Sequence, residues 1–179
     1  MKVARKVFET EWFSVDEIPY EPGKPYYRIS SRDWVEILAV TGENKVILVR
    51  QFRPALDIYT LELPSGYVND GETLEEAAKR EFQEETGFVC HRMIVVGDLK
   101  AMPSRINNKL WIFYGENASP VNGEIRGEDG IEIVTVTVDE FERMATKGEF
   151  TEAAGLAAYL LCQLKGLLPL IMSKGEPSK

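Results

Sequence analysis

REFQEETG, residues 80–87, sets three carboxylates within five positions: Glu81, Glu84 and Glu85. Thr73 followed by Glu76 reads as a capping box, and Gly87 suits the left-handed residue that ends a helix, so a helix is expected from about Thr73 to Thr86. On a wheel of about 100° per residue, Leu74, Ala77, Ala78 and Phe82 make an apolar stripe. Glu81 and Glu85 fall inside that stripe, with Glu84 at its edge, while Glu75, Glu76, Lys79, Arg80 and Gln83 take the other side. A solvated face therefore accounts for Glu75 and Glu76 but not for the other pair. Like charges four residues apart on a helix repel, and burying a lone carboxylate costs several kcal/mol. Something positive is expected opposite Glu81 and Glu85. A lysine is one answer; converging carboxylate oxygens suit a hard divalent cation, Mg²⁺ or Mn²⁺, better. Mg²⁺ is commonly shared with substrate phosphates, which points to phosphate chemistry.

Composition limits the rest. The chain has 179 residues, 44% hydrophobic and 28% charged, enough for one domain with a sizeable core. A net charge of −8 argues against a nucleic-acid or anionic-membrane surface. Cys90 and Cys162, far apart in apolar or strand-like settings, read as reduced, mostly buried thiols. MKVARKVFETEW has no apolar signal-peptide core, and AAGLAAYLLC is short of the roughly 20 residues of a membrane span. A soluble, cytoplasmic protein is expected.

Outward from the helix, WVEILAV, KVILVRQF, LELPSGYV, CHRMIVVGDL, KLWIFYG and IEIVTVTV read as strands, with TGEN turning the first into the second. DEFERMATKG and EAAGLAAYLLCQLKGLL read as amphipathic helices, stopped near Gly148 and Pro169. The order is not the alternation of a doubly wound sheet, and an α+β sandwich is expected. The divisions expected are a β extension over 1–33, the main domain over 34–170 and a frayed tail over 171–179.

From Gly66 the chain runs GYVNDGETLEEAAKREFQEETGF, which resembles the Nudix box G-x5-E-x7-R-E-U-x-E-E-x-G-U at Gly66, Glu72, Arg80, Glu81, Glu84, Glu85 and Gly87. Phe82 and Phe88 stand where the box has bulky aliphatic residues. The resemblance implies a Nudix α/β/α sandwich with a mixed sheet and a small N-terminal antiparallel β extension. It implies hydrolysis of a nucleoside diphosphate linked to another group, with Mg²⁺ (Mn²⁺ as the alternative). Glu81 and Glu85 would be the principal metal ligands, Glu84 assisting, and the Ser65 carbonyl a backbone ligand. Glu72 and Arg80 would organise the loop and helix through an ion pair.

VRQFR, LELPSG and Pro103 look like the subgroup acting on ADP-ribose and nucleoside diphosphate sugars, whose N-terminal extension helps form a homodimer. Arg53 is the first candidate for a phosphate or ribose contact. A surface arginine, or an ion pair to Glu62, which joins it in the candidate substrate-binding set, is the competing reading. Arg28 and Arg105 are weaker candidates. Trp34 is either a base-stacking residue or a core or interface tryptophan. A catalytic base is sought in NGEIRGEDGIE, residues 122–132, where Glu128 is favoured over Asp129, Glu124 and Glu132, against a plain solvated loop. Two other functions stay open: hydrolysis of nucleoside triphosphates or dinucleoside polyphosphates, and a ligand-sensing domain without catalysis.

Overall fold

The computed structural model describes residues 4–123 and 125–168. Strands β1 (Arg5–Glu9), β2 (Phe13–Glu21) and β3 (Lys24–Ser31) form a separate antiparallel sheet in that order. Gly23, at φ +73°, makes the turn from β2 to β3 in a conformation that favours glycine. Within this sheet Asp16 is buried, and the Arg28 guanidinium (2.8 Å) and the Ser30 hydroxyl (2.6 Å) both donate to it.

The larger sheet contains β4 (Trp34–Thr41), β5 (Lys45–Arg53), β6 (Ile58–Glu62), β7 (Ser65–Tyr67), β8 (Phe88–Val89), β9 (Arg92–Leu99), β10 (Leu110–Pro120) and β11 (Glu132–Thr137). Its spine runs β11-β5-β4-β10-β8, with β6 on β5, β7 on β4 and β9 on β10. β4 and β10 run parallel, Leu110 opposite Trp34, while the other pairs are antiparallel, so the sheet is mixed.

Helices α1 (Leu74–Thr86), α2 (Val138–Lys147) and α3 (Ala153–Leu164) cover both faces. Alternation along β4 assigns the layers. Val35, Ile37 and Ala39 pack with Ala77, Ala78 and Phe82 of α1. Leu38 and Val40 belong to the other core, with Phe141 of α2, and Ala158, Tyr159 and Cys162 of α3. Every residue from Val35 to Val40 is at most 4% exposed, as expected of a central strand covered twice. Each large apolar side chain so buried contributes about 1.5–3 kcal/mol, which holds α1 against β4 and β7 despite its carboxylates.

The α+β sandwich with a mixed sheet and N-terminal antiparallel strands is as the sequence indicates. One helix differs: α3 ends at Leu164 rather than running to Leu168, and Glu152 is its N-cap, not its first turn. The expected stop at Pro169 and the tail over 171–179 lie outside the described residues. Both thiols are free, Cys162 buried and Cys90 partly so.

Candidate active site

The site begins with the capping box. The Thr73 hydroxyl accepts the Glu76 N–H (3.3 Å), and the Glu76 carboxylate accepts the Thr73 N–H (2.9 Å), so α1 starts there and not a turn earlier. Arg80, one and a half turns in, then ties the helix to the loop before it. Its guanidinium donates to Glu72 at 2.8 and 3.0 Å and to the Tyr67 carbonyl at 3.0 Å. The same group pairs with Glu81 (2.8 Å) and Glu84 (3.1 Å). The Glu72–Arg80 bridge expected from the sequence is therefore part of a wider fan.

Glu81 and Glu85 project across β7. The Glu81 carboxylate lies on Gly66: a Cβ at that position would overlap it and push the carboxylate from its present place. Glu85 is 8% exposed and accepts the Ser65 N–H at 2.9 Å. Burial raises the Glu81 carboxyl above its ordinary value, and raises Glu85 to about 7. Each tenfold change in acidity is about 1.4 kcal/mol, so the ionised form of Glu85 is disfavoured by ~3 kcal/mol. Arg80 offsets this for Glu81, whereas Glu85 has no such partner of its own. A half-buried and a buried carboxylate, only the first of them paired with an arginine, fit a divalent cation, which would supply the missing charge.

Glu84, with its side chain 55% exposed, points towards Arg80 and solvent. Among the described residues no three His, Cys, Asp or Glu side chains are already gathered around a metal position. The Arg80 guanidinium is bound to Glu81 and Glu84 at once, while Glu85 lines the cleft with Glu81.

These carboxylates face a cleft of about 630 Å³, walled also by Trp12, Arg32, Trp34, Arg53, Ser65, Tyr67 and Glu128. Arg53 reaches it from the end of β5, but its guanidinium also holds Glu62, donating Nε to Oε1 at 2.8 Å and Nη2 to the other oxygen. Glu62 is 7% exposed; burial pushes its carboxyl up, and the hydrogen bonds from Arg53 and Thr60 outweigh this and leave it below the ordinary range. The ion pair to Glu62 is therefore present, in a residue that also lines the cleft. Trp34 lines the cleft while packing on the core of α2 and α3, and its indole N–H is buried without a partner. Arg28 is engaged by Asp16, and Arg105 lies over the Tyr26 ring (4.7 Å) and donates to the Ser104 carbonyl. Neither lines this cleft.

Of the acidic-loop residues, Glu128 lines the cleft. Asp129 lines an adjoining cavity that Glu85 and Glu128 share. Glu132 is drawn away into an ion pair with Arg50 (2.9 Å), and Glu124 lies outside the described residues.

Three residues were missed in the sequence, two of which line the cleft. Trp12, in the loop between β1 and β2, stacks on Tyr67 with ring centroids 6.3 Å apart. Arg32 sits over the same Tyr67 ring (4.8 Å) and donates to Asn69 (2.9 Å). Trp12 is 54% exposed, so its outer surface is free to take a planar ligand. Nothing in TEWFSV marks that tryptophan, because its place depends on a contact over fifty residues along the chain. The third, Glu36 on β4, is 3% exposed and its Oε1 has no partner. Burial, and then Glu152 at the cap of α3, push its carboxyl well above the ordinary range.

A mixed sheet between helices, with a glutamate-bearing helix against Gly66 of β7, defines a Nudix fold. The NUDIX domain model matches residues 31–158, and the chain belongs to this family. Its enzymes generally depend on a divalent metal ion. The "ADP-ribose pyrophosphatase" of Bacillus subtilis (strain 168) is 30% identical over 136 residues, 75% of this chain and 74% of that one. The "ADP compounds hydrolase NudE" of Escherichia coli (strain K12) is 24% identical over 168 residues, 89% and 90% of the two chains. A solved structure titled "Crystal structure of ADP compounds hydrolase" superposes with a TM-score of 0.73 over 92% of this chain and 93% of that one, at 23% identity, which speaks for the fold.

Proposed function

We propose that this Nudix hydrolase cleaves the pyrophosphate bond of ADP-ribose or a related nucleoside diphosphate sugar, giving a nucleoside monophosphate and a sugar phosphate. The observation that carries it is the pair of carboxylates, half-buried Glu81 and buried Glu85, opening on a cleft that also holds an arginine and an aromatic platform. The names of the relatives favour the ADP-ribose class.

Glu81, Glu85 and the Ser65 carbonyl would hold Mg²⁺, with Mn²⁺ as a substitute, and Glu84 would join once Arg80 releases it. The bound ion supplies charge neutralisation for the two phosphates and makes a water more acidic. The chain's own groups do the rest. Arg53, fixed by Glu62, binds a phosphate oxygen, and its fork suits that geometry. The outer face of Trp12, backed by Tyr67 and Arg32, takes the base by stacking. Glu128 accepts the proton of the attacking water as its oxygen bonds to one phosphorus and the bridging P–O bond breaks. The other phosphate leaves with the bridging oxygen.

The N-terminal sheet exposes Phe8, Trp12, Phe13 and Tyr27, with Phe8 and Phe13 rings 6.1 Å apart. Such a patch on an otherwise solvated sheet fits a homodimer. The acidic net charge supports a site for a small molecule rather than a nucleic acid, and among the described residues no helix is long and apolar enough to cross a membrane.

Purified protein with Mg²⁺ should turn over ADP-ribose or another sugar nucleotide fastest in a panel that includes nucleoside triphosphates and dinucleoside polyphosphates. No turnover of any sugar nucleotide, with a triphosphate cleaved instead, overturns the reading.

A further inference from the structure

Val121, Arg126 and Gly127 all meet the C-terminal end of α1 backbone against backbone. At the entry, the Val121 N–H donates to the Gly87 carbonyl (2.9 Å). Further on, Gly127 lies directly on the last turn of the helix. A Cβ built on Gly127 would fall inside the van der Waals shell of the Glu85 carbonyl oxygen, 3.0 Å from its carbon and 3.0 Å from Ile133 Cδ1. From the other side, a Cβ on Gly87 would strike the backbone of Arg126, 2.7 Å from its carbonyl carbon and 2.8 Å from its nitrogen. The nearest atoms on each side are backbone, so the clash cannot be relieved by turning a side chain; the helix end is the firmer of the two segments, and the loop leads within five residues into β11. The next residue, Glu128, opens a turn closed by the Ile131 N–H (3.1 Å) and projects into the cleft beside Glu85.

We infer that Gly127 and Gly87 form a clasp that sets the position of Glu128 over the Glu81/Glu85 cleft, so that Gly127 is a positioning residue for hydrolysis. The inference rests on Glu128 acting as the base. The Gly127 backbone has no left-handed φ, so alanine there is opposed only by the space it needs. That space is occupied by a carbonyl of the helix that carries the acids. The cheapest relief is for the loop to lift away, which withdraws Glu128 and leaves Glu81, Arg53 and Trp12 where they are.

The test is a cycle of wild type, Gly127→Ala, Glu128→Gln and the double variant, with kcat and KM for ADP-ribose and Mn²⁺ affinity by electron paramagnetic resonance. Removing a general base costs about 10²- to 10⁴-fold. Each single variant should lose kcat by about 100-fold or more, with KM and Mn²⁺ affinity within about threefold of wild type. The double variant should be no slower than the slower single. Gly87→Asn, which keeps a residue tolerant of positive φ, adds a Cβ from the helix side and should show the same kcat loss with Mn²⁺ affinity intact; it stands in if Gly127→Ala does not fold. Full kcat in Gly127→Ala beside a dead Glu128→Gln would overturn the clasp and leave the base assignment standing. Full kcat in Glu128→Gln would remove the base assignment first, and the clasp's role with it. Multiplicative losses in the double variant, or weakened Mn²⁺ binding in either glycine variant, would place the damage in the helix and overturn the inference.

Discussion

Glu85 and Glu36 are both acids buried by the fold, but they differ in what faces them. Glu85 opens on the cleft with its carboxyl raised to about 7. A cation entering there displaces the proton, so Mn²⁺ affinity should rise as pH climbs towards 7 and level off above it, up to tenfold per pH unit. A flat affinity over that range would contradict the placement. Glu85→Gln should cut turnover by about 100-fold or more while leaving the thermal midpoint no lower, since it removes a buried charge and keeps the shape. Glu36 faces no cleft. Its raised carboxyl means that its contribution to stability is complete at acid pH, below the ordinary carboxylate value, and is lost as pH rises through the higher value of the folded state. Glu36→Gln should flatten the loss of midpoint with pH and gain at least about 1 kcal/mol above neutrality, roughly 2–4 °C. Parallel melting curves that fall equally with pH would refute it. Of these two, Glu85 was legible, because helical period places it on an apolar stripe. Glu36 was not. In WVEILAV it looks like an ordinary polar position on a strand, and only the second helix layer, brought by Glu152, shuts it in.

Among the elements, α1 and α2 carry the same start and stop. Thr73 with Glu76 and Thr137 with Glu140 form capping boxes, and Gly87 and Gly148 take the left-handed residue after the last turn. These local rules act within four residues, which is why both helices could be placed from the sequence. Thr73→Ala should cost about 1 kcal/mol, lowering the midpoint by roughly 2–4 °C, with kcat unchanged because Arg80 still ties Glu72 to the helix. A kcat drop at temperatures well below the midpoint would show that the cap also positions the acids. The start of α3 was misplaced because Glu152 looks like a helix former, whereas its carboxylate is turned back to accept the N–H groups of Ala154 (2.6 Å) and Gly155. The acidic loop was legible as a loop, and Glu128, favoured there, is the one that lines the cleft; the contact of Gly127 with Glu85 that sets its place was not legible.

For the molecule as a whole, the cleft is closed on one side by the small N-terminal sheet. Trp12→Ala should raise KM for ADP-ribose by about tenfold, within the 1–3 kcal/mol typical of base stacking, and leave kcat nearly unchanged. Equal KM values in the two proteins would remove Trp12 from the site. Sedimentation equilibrium should give twice the chain mass, and Phe8→Glu with Phe13→Glu should shift it towards the single chain. None of this neighbourhood was legible beyond the presence of strands, because contacts between Trp12 and Tyr67, or Arg32 and Asn69, join segments that no local pattern links.

The parallel pairing of β4 with β10 has a further consequence for synthesis. Trp34 meets Leu110, so the strip Val35–Val40 waits for more than seventy residues of translation before its neighbour emerges from the ribosome. At about 5–20 residues per second that interval is several seconds to over ten. During it β5, β7 and α1 are already made but the β10 edge of β4 stays unpaired, and chains stalled before Leu110 should be held by chaperones or aggregate, whatever the stability of the finished protein.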